Sequence, residues 1–265
     1  VEKWKVQRKQ DRKSPATINR DLTMLRACLN KAVEWGYLDS SPLANVKALR
    51  NADNKRVRYL SAAEEKRLMA QLARREKRIR AERKSANLWR EQRGYPLLPA
   101  IPPTAFADYL KPMVILAMNT GLRYGELSQL RWPDVRLTSS PMVNVQAAFA
   151  KTDKPRQVPL NKAALAALRK WKRHQTETDG LVFKGDKGER IKSVRTAWLA
   201  VLDKAKIANF TWHDLRHHFA SRLVMAGVDL NTVRELLGHG SLEMTLRYAH
   251  LAPEHKAAAV ALLDA

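Results

Sequence analysis

Outside a charged stretch over 74–106, apolar residues recur at helical spacing along most of the chain, and a short central stretch departs from that period. There the runs 142–149 and 157–160 read as strands, joined by a polar turn that holds Lys151, Asp153, Lys154 and Pro155. Helices fill the sequence on both sides. Ser14 can cap, and Pro15 open, a helix over 14–36 whose apolar face is Ile18, Leu22, Leu25, Leu29 and Ala32-Val33, with Gly36 at its end. Ser61 and Glu64 have capping-box spacing ahead of Leu68, Met69 and Leu72. A helix from Pro112 breaks at Thr120-Gly121 and resumes through Arg123 to Leu130. Asn161 can cap a helix bearing Leu165, Leu168 and Trp171, and Leu181-Val182-Phe183 reads as a short strand. Further helices are expected over 193–206, 213–226, 230–237 and 242–249, then a tail helix over 254–265. The fold class is α+β, mostly helical with a small sheet.

Charge narrows the function. Lys and Arg number 49 against 26 Asp and Glu, a net +23 that calls for a polyanionic partner, nucleic acid first. With 45% hydrophobic residues the chain can build a core, which excludes a disordered basic tail. No apolar run approaches the roughly 20 residues of a bilayer span, and Val1-Glu2-Lys3-Trp4 opens no signal peptide. The one cysteine, Cys28, lies between Leu25 and Leu29 and reads as a buried structural thiol, so the expected compartment is the cytoplasm. Val1 in place of an initiator methionine suggests a start inside a longer protein.

The domain reading is a helical unit over 1–50, a basic linker over 51–58 carrying Lys55, Arg56 and Arg58, and a main domain over 59–265. Within the last, 74–106 reads as a charged insertion, a solvated helix and loop in preference to an added DNA contact.

Four segments carry the chemistry. Gly121 permits a tight break, so Arg123 can project from the start of a helix. Lys151 lies at the end of a strand. His213 and Arg216, three apart, share a helical face, while Leu215 turns to the core beside Phe219. Gly238 ends a helix and leaves His239 at the turn; Ser241 can cap the next helix, which would carry Tyr248.

In these motifs the sequence resembles the tyrosine recombinase family, including phage and genomic-island integrases. The resemblance spans 57–265, and 14–50 matches part of the family's core-binding domain. It implies an integrase-type catalytic domain with a small antiparallel sheet, preceded by a partial helical core-binding domain. The family's ordered Arg, Lys, His-x-x-Arg, His and Tyr fall on Arg123, Lys151, His213, Arg216, His239 and Tyr248. It implies a 3′-phosphotyrosyl link and a free 5′-hydroxyl, with His213 as the base. The implied partner is double-stranded DNA bound by a homotetramer whose tails dock in trans, with DNA-bending accessory proteins possible. Prophage or genomic-island integration is the expected setting.

Attack on a phosphodiester builds negative charge on the nonbridging oxygens. Arg123 and Arg216 can meet it with paired, charge-assisted N–H bonds, and His213 and His239 can add donors. No cofactor is expected, and no carboxylate cluster suits a metal. Tyr248 must attack as phenolate although a free phenol has a pKa of about 10; Lys151 can protonate the leaving oxygen. Glu126, three residues after Arg123, can orient that guanidinium or form only a surface ion pair. Lys154 and Arg156 compete with Lys151 for its role, and His217 and His218 read as packing or phosphate contacts. A DNA-binding regulator that never cuts and a relaxing topoisomerase remain the alternatives.

Overall fold

A computed structural model describes residues 1–50, 57–146, 155–175, 179–185 and 187–252. It divides into two units, Val1–Arg56 and Val57–Ala265. Residues 51–56 of the expected linker, Lys151 and Lys154 of the strand turn, and the tail over 254–265 lie outside the described residues.

In the first unit, α1 (Glu2–Gln10) and α2 (Pro15–Glu34) are joined by a tight turn. The Ser14 side chain accepts from Thr17 N–H and Pro15 opens α2, as the sequence indicates. The chain after α2 returns along it. Asn19 exchanges two 2.8 Å bonds with the backbone of Leu49, and Lys5 donates to Lys47 O at 2.8 Å. Only one side of α2 is covered in this way. Ile18 and Leu22 are buried with Leu43, whereas Leu25 and Met24 are exposed. Cys28 is exposed too, which corrects the expectation of a buried thiol. The returning segment is too short to shield a 20-residue helix all round. Arg26, off the apolar stripe, donates to Val46 O.

The second unit begins with α3 (Ala62–Glu91), whose Ser61–Glu64 capping box forms in both directions. The helix runs 30 residues, through most of the expected insertion. Past Glu76 it has no buried residue, and its returning chain is held by side chains bonding to carbonyls. Arg80 donates to Ala105 O, Arg83 to Pro99 O and Arg90 to Pro96 O, while Asn87 exchanges two bonds with Leu98. At its base Glu76 receives Lys111 Nζ at 2.5 Å, and Arg75 pairs with Asp108. The 74–106 segment is thus a helical arm stitched to its own return.

The core lies around α4 (Leu110–Thr120), almost wholly buried and packed on α6 (Lys162–Lys172) and α8 (Asp214–Met225). After α5 (Tyr124–Gln129) come β1 (Val135–Arg136), β2 (Met142–Val145) and β3 (Arg156–Pro159). They pair antiparallel in sequence order, with Val135 opposite Val143 and Val143 opposite Val158. Val143, Val145 and Val158 turn inward, giving the alternation of a half-buried sheet. The two-residue β1 is too short to show in a periodicity. Leu181, expected within a short strand, makes only an isolated bridge to Arg131.

The remaining helices are α7 (Arg195–Lys204), α9 (Leu230–Leu237) and α10 (Glu243–Leu246). The last falls short of the expected 242–249. It starts after Leu242 without a side-chain cap from Ser241, and Tyr248 lies beyond it, just before a 3-10 turn at Ala249–Leu251. Among the described residues no helix is long and apolar enough to cross a membrane.

Candidate active site

The break between α4 and α5 sets the first arginine. Gly121 adopts φ 65°, and a Cβ there would collide with the Phe219 ring and Leu237. Arg123 follows in extended conformation as the residue capping α5, so its side chain leaves the helix start freely. Glu126 then anchors it. One carboxylate oxygen accepts Arg123 N–H at 2.7 Å, and the other lies 3.1 Å from Arg123 Nη1. The same carboxylate takes a forked pair from Arg156, at 3.0 and 2.8 Å. Glu126 is 4% exposed, so this is a buried hub in place of a surface pair. Burial pushes its carboxyl up, but Arg156 and Arg123 outweigh that and hold it below the ordinary range. With its fork committed to Glu126 and its Nε to Leu236 O, Arg156 is no rival for a mobile lysine.

Arg216 ties the segments together. From the buried face of α8 its guanidinium donates to Gly121 O at 2.8 Å and to Leu237 O. It therefore bridges the chain two residues before Arg123 and two residues before His239. Arg156 and Arg216 together satisfy two of the carbonyls left open at the C-terminus of α9. Burial and neighbouring Arg123 lower Arg216 to about 9, which leaves it cationic at neutral pH.

Gly238 ends α9 in the left-handed region at φ 63°, and a Cβ there would lie 2.9 Å from the Arg156 side chain. His239 follows at the turn, 9% exposed, with Nδ1 2.8 Å from Thr245 Oγ1. Burial, then Arg216 and Arg123, depress its pKa to about 3. His213, which precedes α8, is lowered by burial and Arg216. Both histidines are neutral donors at pH 7. Trp212 packs beneath this edge, 5.7 Å from Tyr124 and 5.3 Å from Trp198 between ring centres.

Tyr248 is 1% exposed and sits in an apolar cluster with Val57, Ala220, Val224, Val233 and Leu237. Burial pushes its phenol up to about 12 against the opposing pull of Arg216 and Arg247. Its hydroxyl lies 2.6 Å from Nδ1 of His217. The sequence reads His217 as a packing or phosphate contact, although its spacing of four from His213 sets the two side by side at the start of α8. The two rings meet edge to face at 5.0 Å. His218, by contrast, is a packing residue: it is 1% exposed, and its Nδ1 accepts from Leu60 N–H at 3.3 Å.

Arg123, His213, Arg216, His239 and Tyr248 thus come together from separated segments, while Lys151 lies outside the described residues. Among the described residues no group of three or more His, Cys, Asp and Glu is arranged to hold a metal ion. What the cluster offers is a set of N–H donors, with Arg216 and His239 buried, Arg123 partly open to solvent and His213 exposed, suited to an oxyanion that develops beside a phenol.

Comparison with known proteins points the same way. A family model, that of the phage integrase family, matches residues 96–255. The integrase of Salmonella phage P22 is 30% identical over 256 residues, covering 91% of this chain and 55% of that protein. A tyrosine recombinase XerC of Xanthomonas axonopodis pv. citri is 38% identical over 144 residues, or 52% of this chain and 46% of that protein. The chain spans about half the length of these curated relatives. Among solved structures, the Tn1549 transposon integrase in complex with a circular intermediate DNA has a TM-score of 0.68 at 19% identity, over 99% of this chain and 84% of that one. The catalytic domain of bacteriophage HP1 integrase gives 0.52 at 23% identity, over 77% of this chain and 94% of its own. Likeness at that level shows a shared fold.

Proposed function

The chain belongs to the phage integrase family, and from that premise we propose that it is a site-specific DNA recombinase that cuts and rejoins strands through a 3′-phosphotyrosyl intermediate on Tyr248. The observation that carries the reading is that Arg123, His213 and His239 gather at Arg216, which itself lies beside the buried Tyr248. Simple DNA binding would call for exposed cations. It would not call for Arg216 committed to two carbonyls deep beside a phenol.

In this mechanism the phenol oxygen of Tyr248 attacks phosphorus as its proton leaves, Arg123 and Arg216 hold the nonbridging oxygens, and His213 and His239 donate to them. Lys151 protonates the departing 5′-oxygen. The bond to tyrosine conserves the energy of the phosphodiester, so a 5′-hydroxyl can reverse the step and reseal a strand without ATP. A phenol near 12 lies five units above neutral pH, a cost of roughly 7 kcal/mol for ionisation. The dianionic charge forming at phosphorus and the loss of the proton must therefore be concerted with attack. Attack also needs the hydroxyl within about 3–3.5 Å of phosphorus, so Tyr248 is uncovered when DNA docks.

Double-stranded DNA is the proposed substrate of both the helical unit over 1–50 and the main domain over 59–265. Four copies exchange strands, coupled by their tails over 254–265. Affinity is expected to fall steeply with salt as phosphate contacts release counterions. The decisive experiment traps the protein on a nicked suicide substrate and maps the peptide joined to DNA. Tyr248 is the expected site, and Tyr248→Phe is expected to bind DNA yet form no adduct. A nucleotide found on another residue, or scission that depends on a divalent ion, would overturn the reading. Two-site recombination measured beside plasmid relaxation separates a recombinase from a topoisomerase.

A further inference from the structure

The hydrogen bond that the Tyr248 hydroxyl makes among the described residues goes to His217, not to His213. We propose that His217 is a catalytic residue, the group that takes the phenol proton of Tyr248 as its oxygen attacks phosphorus. The inference rests on the phosphotyrosyl reading above. At 2.6 Å the contact is at the short end for an O–H···N bond, and the rings lie 5.8 Å apart at 50°. For Nδ1 to accept, the ring must be neutral with its proton on Nε2. Burial, and His213 and Arg247 beside it, favour that state by lowering His217 to about 4. His213 stands edge-on to His217 and fixes its ring, and α8 sets the four-residue spacing between them. His213 therefore acts as support and oxyanion donor while the proton moves one residue pair deeper.

The step balances. The Oη–H bond breaks toward Nδ1, the Oη–P bond forms, and the P–O5′ bond breaks with a proton from Lys151 passing to O5′. The negative diester that enters offsets the cation that His217 becomes, and on resealing the imidazolium returns its proton to Tyr248.

Single-turnover adduct formation on the nicked substrate tests this. His217→Ala and His217→Asn are both expected to slow it about 100-fold, in the range of general-base effects, with DNA affinity unchanged. Asparagine keeps a hydrogen-bonding atom near the position of Nδ1 but cannot take a proton at neutral pH. Added imidazole is expected to speed up His217→Ala. A substrate with sulfur as the bridging 5′ atom, a better leaving group, is expected to rescue Lys151→Ala and leave His217→Ala slow. Wild-type rate in His217→Asn would reduce His217 to a positioning role and overturn the proposal. An unchanged or faster His217→Ala would do so as well, the second by making His217 a restraint on the nucleophile. Should His217→Ala fail to fold, the asparagine variant carries the test. A wild-type protein that forms no phosphotyrosyl adduct would instead sink the recombinase reading itself.

Discussion

In the arm over 74–106, Arg80, Arg83 and Arg90 each reach a carbonyl of the returning chain from partly solvated positions. Around Glu126 the chemistry is the same, but the surroundings differ. Arg216 bonds to Gly121 and Leu237 from a buried position, and Arg156, its side chain 9% exposed, bonds to Leu236 and meets a carboxylate that water scarcely touches. Water competes for each bond of the arm, so each adds little. Glu126 and Arg216 are buried, and loss of one partner there strands the other where water cannot readily solvate it. The contrast shows that a large positive charge is not one feature with one purpose. Part of it stitches a surface hairpin, and part is held inside around Glu126 and along α8.

The largest effect that would break this contrast lies at Arg216. Arg216→Ala removes the donor to two buried carbonyls, each worth about 1–3 kcal/mol when stranded, as well as an oxyanion donor worth about 10²–10³ in rate. We expect adduct formation to fall at least about 10³-fold, with a clear drop in melting temperature. A mild phenotype in both assays would dissolve the hub.

Glu126→Gln comes next. It leaves Arg123 and Arg156 facing one another without the carboxylate, and denaturant unfolding is expected to show a loss of roughly 3–5 kcal/mol. A change under 1 kcal/mol would mean that water reaches the cluster.

His218 offers a graded test. Burial, then Arg222, depress its folded pKa to about 4, against about 6.5 in the unfolded chain. Between those values the unfolded chain binds more protons, so acid removes stability as pH falls through this window, and no further loss arises below 4. From pH 7 to pH 5 this one residue is expected to cost about 2 kcal/mol. Unfolding curves of His218→Asn are expected to be flatter by that amount. Identical pH dependence in the two proteins would assign the acid sensitivity elsewhere.

The smallest effect is expected at the arm. Arg83→Ala removes a surface bond to Pro99 O and is expected to change stability by no more than about 0.5 kcal/mol. It is expected to leave adduct formation unchanged. A large loss there would erase the difference between the two regions.

Much of this organisation was legible in advance, for local reasons. The caps at Ser14, Ser61 and Asn161 act within four residues, and each forms as its spacing indicates. Gly121 and Gly238 break helices where left-handed backbone is required. What escaped was decided at a distance. The pairing of Glu126 with Arg123 shows in their spacing, but its fork with Arg156 crosses 30 residues and needs β3 laid against α9. The reach of α3 to Glu91 escaped because its outer half buries no apolar stripe, so periodicity carries no signal there. The exposure of Cys28 was misjudged because a stripe names a face without saying whether anything covers it.

By itself the sequence determined the succession of helices around one small sheet and the residue types of the site, because periodicity, caps and glycine breaks are properties of neighbouring residues. It also determined the family, through Arg123, Lys151, His213, Arg216, His239 and Tyr248 in order. Only the tertiary structure decided that Arg216 clasps the two chain breaks, that Glu126 holds two guanidiniums, and that Tyr248 faces His217. Those outcomes depend on which buried groups find partners once water has been expelled, and that is settled by packing across the whole domain.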